Sequence, residues 1–316
     1  MANARKWLPA VLLAICLSAC GGSDSSNSSS PPPGVEGGTF NLSSAVTLVQ
    51  LCLQSYQMLT DFENGQTFTL PAPYTLQAQF YTEEHFSGDG LNGMVPIAFV
   101  ATSGSAIYVV FRGTETISEW ISDATASQES YPYVANGGKT ETGFTAIYDT
   151  IRTPIIQEVT TLAAGGSYTS LFITGHSLGG ALAVLAGPDL AAQTHLTHPI
   201  VYTFAGPRAG DPTFAAVYNG DIGTSWRVAN TNDEVPKLPD VVTTIIGPPP
   251  DFKPELFFYE HVNSEYDITF GTPIHSVSDL IFNHSACNYF GTLCGQTSNP
   301  TQCKQMGQGV HGCTFS

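Results

Sequence analysis

The chain has 316 residues, enough for one large domain or two small ones, and 42% of them are hydrophobic, ample for a core. Ten Lys and Arg against 26 Asp and Glu leave a formal charge of −16. That balance excludes nucleic acid as a partner and a polybasic contact with a membrane, and otherwise implies only solubility.

At the N-terminus, Arg5-Lys6 precedes an apolar run, Trp7 to Leu17, too short to span a bilayer as a mature helix. It reads as an export signal. It continues into Leu17-Ser18-Ala19-Cys20, which resembles a bacterial lipobox, whose cysteine is lipidated and becomes the new N-terminus. The alternative is an ordinary secretory signal in which Cys20 is incidental. Gly21, rather than Asp, after that cysteine resembles lipoproteins destined for the outer membrane. From Gly22 to Gly38 the chain is Ser, Asn, Pro and Gly with almost nothing apolar, the composition of a tether. The expected organisation is a signal over 1–20, a tether over 21–39 and a folded domain over 40–316, exported to the outer membrane or the extracellular space.

Ala45 to Leu59 carries Val46, Val49, Cys52, Leu53 and Tyr56 at helical spacing. Met94 to Ala101 and Ala106 to Phe111 are β-rich runs around Thr102-Ser103-Gly104-Ser105, the pattern of a hairpin. Gly143 to Leu162 reads as a helix that Pro154 kinks or breaks. Next come a buried strand over Ser170 to Thr174 and a buried helix over Gly180 to Ala186, ended by Gly187-Pro188. Strands over Ile200 to Phe204 and Trp226 to Ala229 follow. Beyond Pro239 the chain turns irregular and proline-rich, with short strands near Leu256 to Tyr259 and Tyr266 to Phe270. Strands alternating with helices predict the α/β class, a central, mostly parallel sheet flanked by helices. No later transmembrane run and no internal repeat is present.

Cys287, Cys294, Cys303 and Cys313 crowd into the last thirty residues amid Gly, Asn, Thr and Gln with little to bury. Such a tail holds its shape by disulfides in an oxidising compartment, and four cysteines allow three pairings among which spacing does not choose. A metal site with His311 is the competing idea, but no C-x-x-C spacing supports it. Cys52, on an apolar helical stretch, reads as a buried free thiol.

Between the strand at 170–174 and the following helix lies Gly175-His176-Ser177-Leu178-Gly179. Strand, G-x-S-x-G and helix together are the setting of a nucleophile elbow, where glycines let strand and helix pass closely and the serine hydroxyl points into a cleft. A serine hydroxyl needs a histidine to accept its proton and a carboxylate to orient that histidine. In α/β-hydrolases the chain order is Ser, acid, His. Asp233 follows the end of a later strand, with Glu234 beside it and Asp211 in an earlier Gly-Pro-rich loop; a turn or capping carboxylate is the bland reading of Asp233. His261, His275, His284 and His311 follow, and spacing does not decide among them.

Several segments together resemble the class 3 lipases, the family of the Rhizomucor-type fungal triacylglycerol lipases and their bacterial relatives. They are Val109-Val110-Phe111-Arg112-Gly113-Thr114, Ile117-Ser118-Glu119-Trp120-Ile121-Ser122-Asp123, Thr142-Gly143-Phe144, the elbow with Gly180, Thr203-Phe204-Ala205-Gly206-Pro207-Arg208-Ala209-Gly210-Asp211, and Asn232-Asp233-Glu234-Val235-Pro236. They run in family order from about Phe40 to Phe290. The resemblance implies an α/β-hydrolase fold with Ser177 as nucleophile, Asp233 as acid and His284, in His284-Ser285-Ala286-Cys287-Asn288-Tyr289-Phe290, as base. His261 then takes the place of a structural histidine and is the alternative base. Asn283 stands where Asp is common in the family, and Asn263 where Gly is common. His176 packs or tunes the elbow, since a neighbour in sequence points away from the serine.

By the same resemblance the oxyanion hole is formed by Thr114 and the backbone N–H of Leu178, and Arg112 makes a structural ion pair. Ile117, Trp120 and Ile121 fall at i, i+3 and i+4, an apolar stripe where the resemblance places a lid that opens at a lipid–water interface. A surface helix packed permanently on the core is the alternative. The expectation is a carboxylic ester hydrolase, a triacylglycerol lipase working through an acyl-enzyme without cofactor or metal, with lipid or ester substrates and a membrane tether at Cys20. Rival readings are a phospholipase A1 or feruloyl-type esterase and, further off, a non-catalytic surface lipoprotein on a hydrolase scaffold.

Overall fold

β-Branched and aromatic residues in period-two runs build the sheet on which everything else rests. A computed structural model describes residues 38–83, 93–114, 126–246, 253–262 and 264–315. In chain order its elements are helix α1 (Leu42–Glu63) and strands β1 (Thr75–Glu83), β2 (Met94–Ser103), β3 (Ala106–Phe111), β4 (Gln128–Ser130) and β5 (Lys139–Glu141). Helix α2 (Thr142–Ala164), strand β6 (Ser170–His176), helix α3 (Leu178–Gln193), strand β7 (Ile200–Phe204), helix α4 (Pro212–Asp221) and strand β8 (Thr224–Asn230) alternate through the middle. Strands β9 (Val242–Ile246), β10 (Pro254–Phe258) and β11 (Ser264–Ile268) precede helices α5 (Val277–His284), α6 (Ala286–Gly295) and α7 (Pro300–Gln305).

Seven strands form one sheet in the order β1-β2-β3-β6-β7-β8-β11. The first three pair antiparallel and β3 through β11 pair parallel, so the sheet is mostly parallel as its alternation of strands and helices implies. The hairpin lies where composition placed it, with Gly104 at φ 56 turning β2 into β3. Period-two alternation assigns the faces: Ile107, Val109 and Phe111 meet α2, α3 and α4, while Tyr108 and Val110 meet α1 and the C-terminal helices. Both faces are covered, which is why the central strands read as continuous apolar runs.

One proline expectation is corrected: helix α3 continues through Pro188 to Gln193. Helix α2 runs through Pro154 to Ala164, so Pro154 does not break it. Each proline removes one N–H from its ladder, but what lies beyond Pro188 holds the chain helical. Leu190 is fully buried, and wholly buried Asp189 receives a bidentate pair from Arg152 of α2 at 2.6 and 2.7 Å. The tail is also more helical and better buried than its composition implies. Tyr289, Phe290 and Leu293 of α6 are fully buried beneath it, and the disulfides are Cys287–Cys313 and Cys294–Cys303. Among the described residues Cys52 is the free thiol, buried against Thr174 and pushed up to about 12 by that burial.

Candidate active site

Strand β6 ends and helix α3 begins with one residue between them, Ser177, at φ 58 and ψ −128. This backbone region disfavours a side chain by roughly 1–3 kcal/mol and persists only where the surroundings enforce it. Here Ser177 N–H donates to Phe204 C=O at 2.9 Å and Gly180 N–H to Ser177 C=O at 2.8 Å. The glycines are obligatory: a Cβ on Gly175 would lie 2.0 Å from Gly179 C=O, and one on Gly179 would lie 2.3 Å from Phe111 C=O. Ser177 occupies the N-cap of α3, yet its hydroxyl makes no capping bond. The buried Oγ has no hydrogen-bond partner among the described residues.

Asp233 follows β8 and is fully buried. Its Oδ1 accepts from Val235 N–H at 3.0 Å; its Oδ2 accepts from Tyr289 Oη at 2.9 Å and from His284 Nδ1 at 2.8 Å. Donation from Nδ1 leaves His284 Nε2 as the acceptor nitrogen, and this buried atom also lacks a partner. His284 is the last residue of α5, and its ring lies 4.8 Å from that of His176, the residue bonded to Ser177. Among the described residues the hydroxyl and the imidazole nitrogen are two of three such buried side-chain atoms, the third being Asn283 Oδ1.

The rival residues have other work. Glu234 is half-exposed and pairs with Lys237 at 2.8 Å, and Asp211 caps α4 through Phe214 N–H at 2.7 Å. His261 Nε2 contacts Pro236 C=O at 2.5 Å; burial and the Arg227 guanidinium hold this imidazole well below the usual histidine range. His275 donates its backbone N–H to Asp279. His311 stacks on Tyr56 at 5.1 Å, and the four cysteines near it in sequence are disulfide-bonded, so the metal alternative falls. Among the described residues no three His, Cys, Asp or Glu side chains converge as a metal would require.

Three residues around the site, Tyr56, Asn230 and Tyr289, escape sequence reasoning, whereas His176 was expected to pack or tune the elbow. His176 Nδ1 meets Tyr56 Oη at 2.8 Å and its Nε2 meets His284 C=O at 2.9 Å. A carbonyl only accepts, so Nε2 carries the proton and the tyrosine hydroxyl donates to Nδ1. Burial, with His284 alongside, holds His176 well below the usual histidine range, hence neutral. Asn230, the last residue of β8, donates from Nδ2 to Asn283 C=O at 3.0 Å, and Tyr289 Oη accepts from Asn230 N–H at 2.8 Å. The sequence signal for His176 and Asn230 was positional: each ends a parallel strand, where α/β sites gather. Tyr56 and Tyr289 carried no such signal.

Leu178 N–H opens α3, where the helix dipole is positive. Thr114 is buried just past Gly113, whose Cβ, if it had one, would lie 3.1 Å from Ser177 Cβ. The loop after β3 therefore runs alongside the serine. Arg112 is fully buried and donates to Pro96 C=O at 2.8 Å and Gly113 C=O at 2.7 Å. The stripe of Ile117, Trp120 and Ile121 and the cysteine at 20 lie outside the described residues.

Residues 108–243 match the family model Lipase (class 3). Secreted mono- and diacylglycerol lipase A of Penicillium cyclopium is 32% identical over 184 residues, 58% of this chain and 55% of that protein. The lipase of Rhizomucor miehei is 36% identical over 177 residues, 54% of this chain and 44% of that one. The chain spans about half the length of the curated relatives it matches. The solved structure of Rhizomucor miehei triacylglyceride lipase superimposes with a TM-score of 0.59 at 26% identity, covering 81% of this chain and 100% of that one. By fold this chain is an α/β-hydrolase, and over residues 108–243 it is similar to the class 3 lipases.

Proposed function

We propose that the protein is a serine ester hydrolase of acylglycerol lipids, with Ser177 as nucleophile, His284 as base and Asp233 as the orienting acid. One observation carries the reading. Ser177 Oγ and His284 Nε2 are buried without partners, while Nδ1 of the same imidazole is held at 2.8 Å by a buried carboxylate. Burying a polar group unpaired is unfavourable unless something else completes it.

In the reaction, Ser177 Oγ attacks the ester carbonyl as its proton passes to His284 Nε2. The imidazolium is stabilised through Nδ1–H by Asp233. Negative charge on the carbonyl oxygen is met by Leu178 N–H and by Thr114, donors whose removal typically costs about 3 kcal/mol of transition-state stabilisation each. His284 returns the proton to the departing alcohol, leaving an acyl-enzyme. Water then attacks, its proton again taken by His284, and the carboxylic acid leaves as Ser177 regains its proton.

The finer parts of the reading follow the sequence. Ile117, Trp120 and Ile121 form the apolar face of a lid that opens at a lipid–water interface, supported by their helical spacing. The protein is exported, in keeping with its two disulfides and with relatives named as secreted. Cys20 tethers it to a membrane by lipidation.

The deciding experiment is hydrolysis of emulsified acylglycerols of graded chain length, beside phospholipid, by wild type and by Ser177→Ala and His284→Ala. Loss in both variants with acylglycerol turnover in the wild type is expected. Full turnover by Ser177→Ala refutes the reading, and a preference for phospholipid moves the substrate class. A rate that does not jump above the substrate's solubility limit removes the lid. Cys20→Ser protein that stays membrane-bound removes the tether.

A further inference from the structure

Two consecutive carbonyls hold the key to the base. Helix α5 ends at His284, and its last carbonyls have no partner within the helix. Asn283 C=O accepts from Asn230 Nδ2 at 3.0 Å, and His284 C=O accepts from His176 Nε2 at 2.9 Å. The donors are the final residues of β8 and β6, so two rigid strands grip the peptide that carries the imidazole. His176 is itself peptide-bonded to Ser177. The position of the base relative to the nucleophile thus runs through one side chain, not through the 106 residues between them in sequence.

We infer that His176 is a positioning residue that fixes His284 against Ser177, with Tyr56 setting the tautomer that makes this possible and Asn230 bracing the preceding peptide. This rests on the catalytic reading above. Only the Nε2–H tautomer of His176 can donate to His284 C=O, and the Tyr56 hydroxyl at 2.8 Å from Nδ1 selects it. Tyr56 is held in turn. The ring of His311 stacks on it at 5.1 Å, and Gly113 leaves room for its hydroxyl, since a Cβ there would lie 2.2 Å from Oη. Neutrality of His176 matters as well. Its ring lies 4.8 Å from the one that becomes imidazolium during acyl transfer, and a second cation at that distance would oppose the charge. Proton transfer requires the donor and acceptor within about 3 Å, and an error near 1 Å costs roughly 100-fold in rate.

The test uses purified full-length protein and a soluble p-nitrophenyl ester below its solubility limit, with kcat and KM read separately alongside thermal stability and fluorophosphonate labelling. His176→Phe keeps the ring volume and loses the donor; kcat is expected to fall about 30-fold with KM within twofold. His176→Gln returns an N–H near the Nε2 position and is expected to recover most of that loss. Tyr56→Phe leaves the ring and frees the tautomer, and kcat is expected to fall about fivefold. The inference is overturned if folded His176→Phe keeps kcat within threefold of wild type, or if Gln performs no better than Phe. Should His176→Phe fail to fold, Tyr56→Phe and His176→Gln decide: an unchanged kcat in Tyr56→Phe, or a Gln variant that folds but is as slow as Ser177→Ala, overturns it. Wild type that resists fluorophosphonate, or Ser177→Ala that still turns over, sinks the catalytic reading itself, a result distinguishable from every outcome at position 176.

Discussion

Replacing Tyr289 by Phe removes one oxygen from a wholly buried place and strands two groups at once. The Tyr289 hydroxyl donates to Asp233 Oδ2 at 2.9 Å and accepts from Asn230 N–H at 2.8 Å, and burial with the Asp233 carboxylate nearby holds it far above the usual tyrosine range, hence protonated. A buried N–H left without an acceptor costs about 1–3 kcal/mol, and a hydrogen bond to a charged group contributes about 1.5–3 kcal/mol. Asp233 keeps Val235 N–H and His284 as donors, so the lower part of each range applies and the expected loss of stability is about 3 kcal/mol. At roughly 2 °C per kcal/mol for a chain of this size, the melting temperature drops by about 6 °C. With one of three donors gone, Asp233 holds His284 less rigidly, and kcat is expected to fall about tenfold at unchanged KM. Urea unfolding and initial rates on a soluble ester measure the two effects. A variant matching wild type in both urea midpoint and kcat would refute the claim that Tyr289 anchors the acid.

Gly175→Ala forces a methyl to within 2.0 Å of Gly179 C=O, backbone that cannot yield; a loss of about 3 kcal/mol or more and of most activity is expected. Gly220→Ala, with nothing within 4 Å, serves as its control and should leave the melting temperature equal or slightly raised. Arg152→Met leaves fully buried Asp189 with Tyr148 Oη as a donor at 2.9 Å but without its cation, and urea unfolding should register a loss of about 3 kcal/mol; a change below about 1 kcal/mol would contradict the assignment. Acid should weaken the fold through its buried histidines. His176 and His261 sit well below their ordinary 6.5 when folded and return to it when unfolded, so below that pH the unfolded chain binds more protons. Their contribution is complete above pH 6.5 and declines on acidification by up to about 1.4 kcal/mol per pH unit each. Equal urea midpoints at pH 7 and pH 5 would count against it.

The elbow was the most legible part of the molecule because its requirements are local: three glycines, an apolar strand before and small residues after. The parallel strands β6, β7 and β8 were legible for a related reason, being buried on both faces. Pro188 misled because propensity is a local quantity, whereas the burial of Leu190 and the ion pair at Asp189 that override it come from elsewhere in the chain. Helix α4 was missed although Asp211-Pro212 is an N-cap followed by proline at the first helical position. Glycines and polar residues masked the C-terminal helices, whose stability comes from Tyr289, Phe290 and Leu293 and from two disulfides. Choosing His284 over three other histidines needed the family pattern, since the contacts that single it out join residues 51 apart or more. Tyr56 was illegible for the same reason, lying 120 residues from His176.

The base, its helix and the bridges beyond it all come late in the chain, whereas the serine and the carboxylate come earlier. On the proposed mechanism, a polypeptide that stops between residues 233 and 284 owns the serine corner and the carboxylate but lacks the imidazole that takes up the proton. The knot from Cys287 to Cys313 ties down the helix that follows the imidazole. On that reading the last of the three catalytic groups to be synthesised is also the one whose helix runs directly into the disulfide-tied tail.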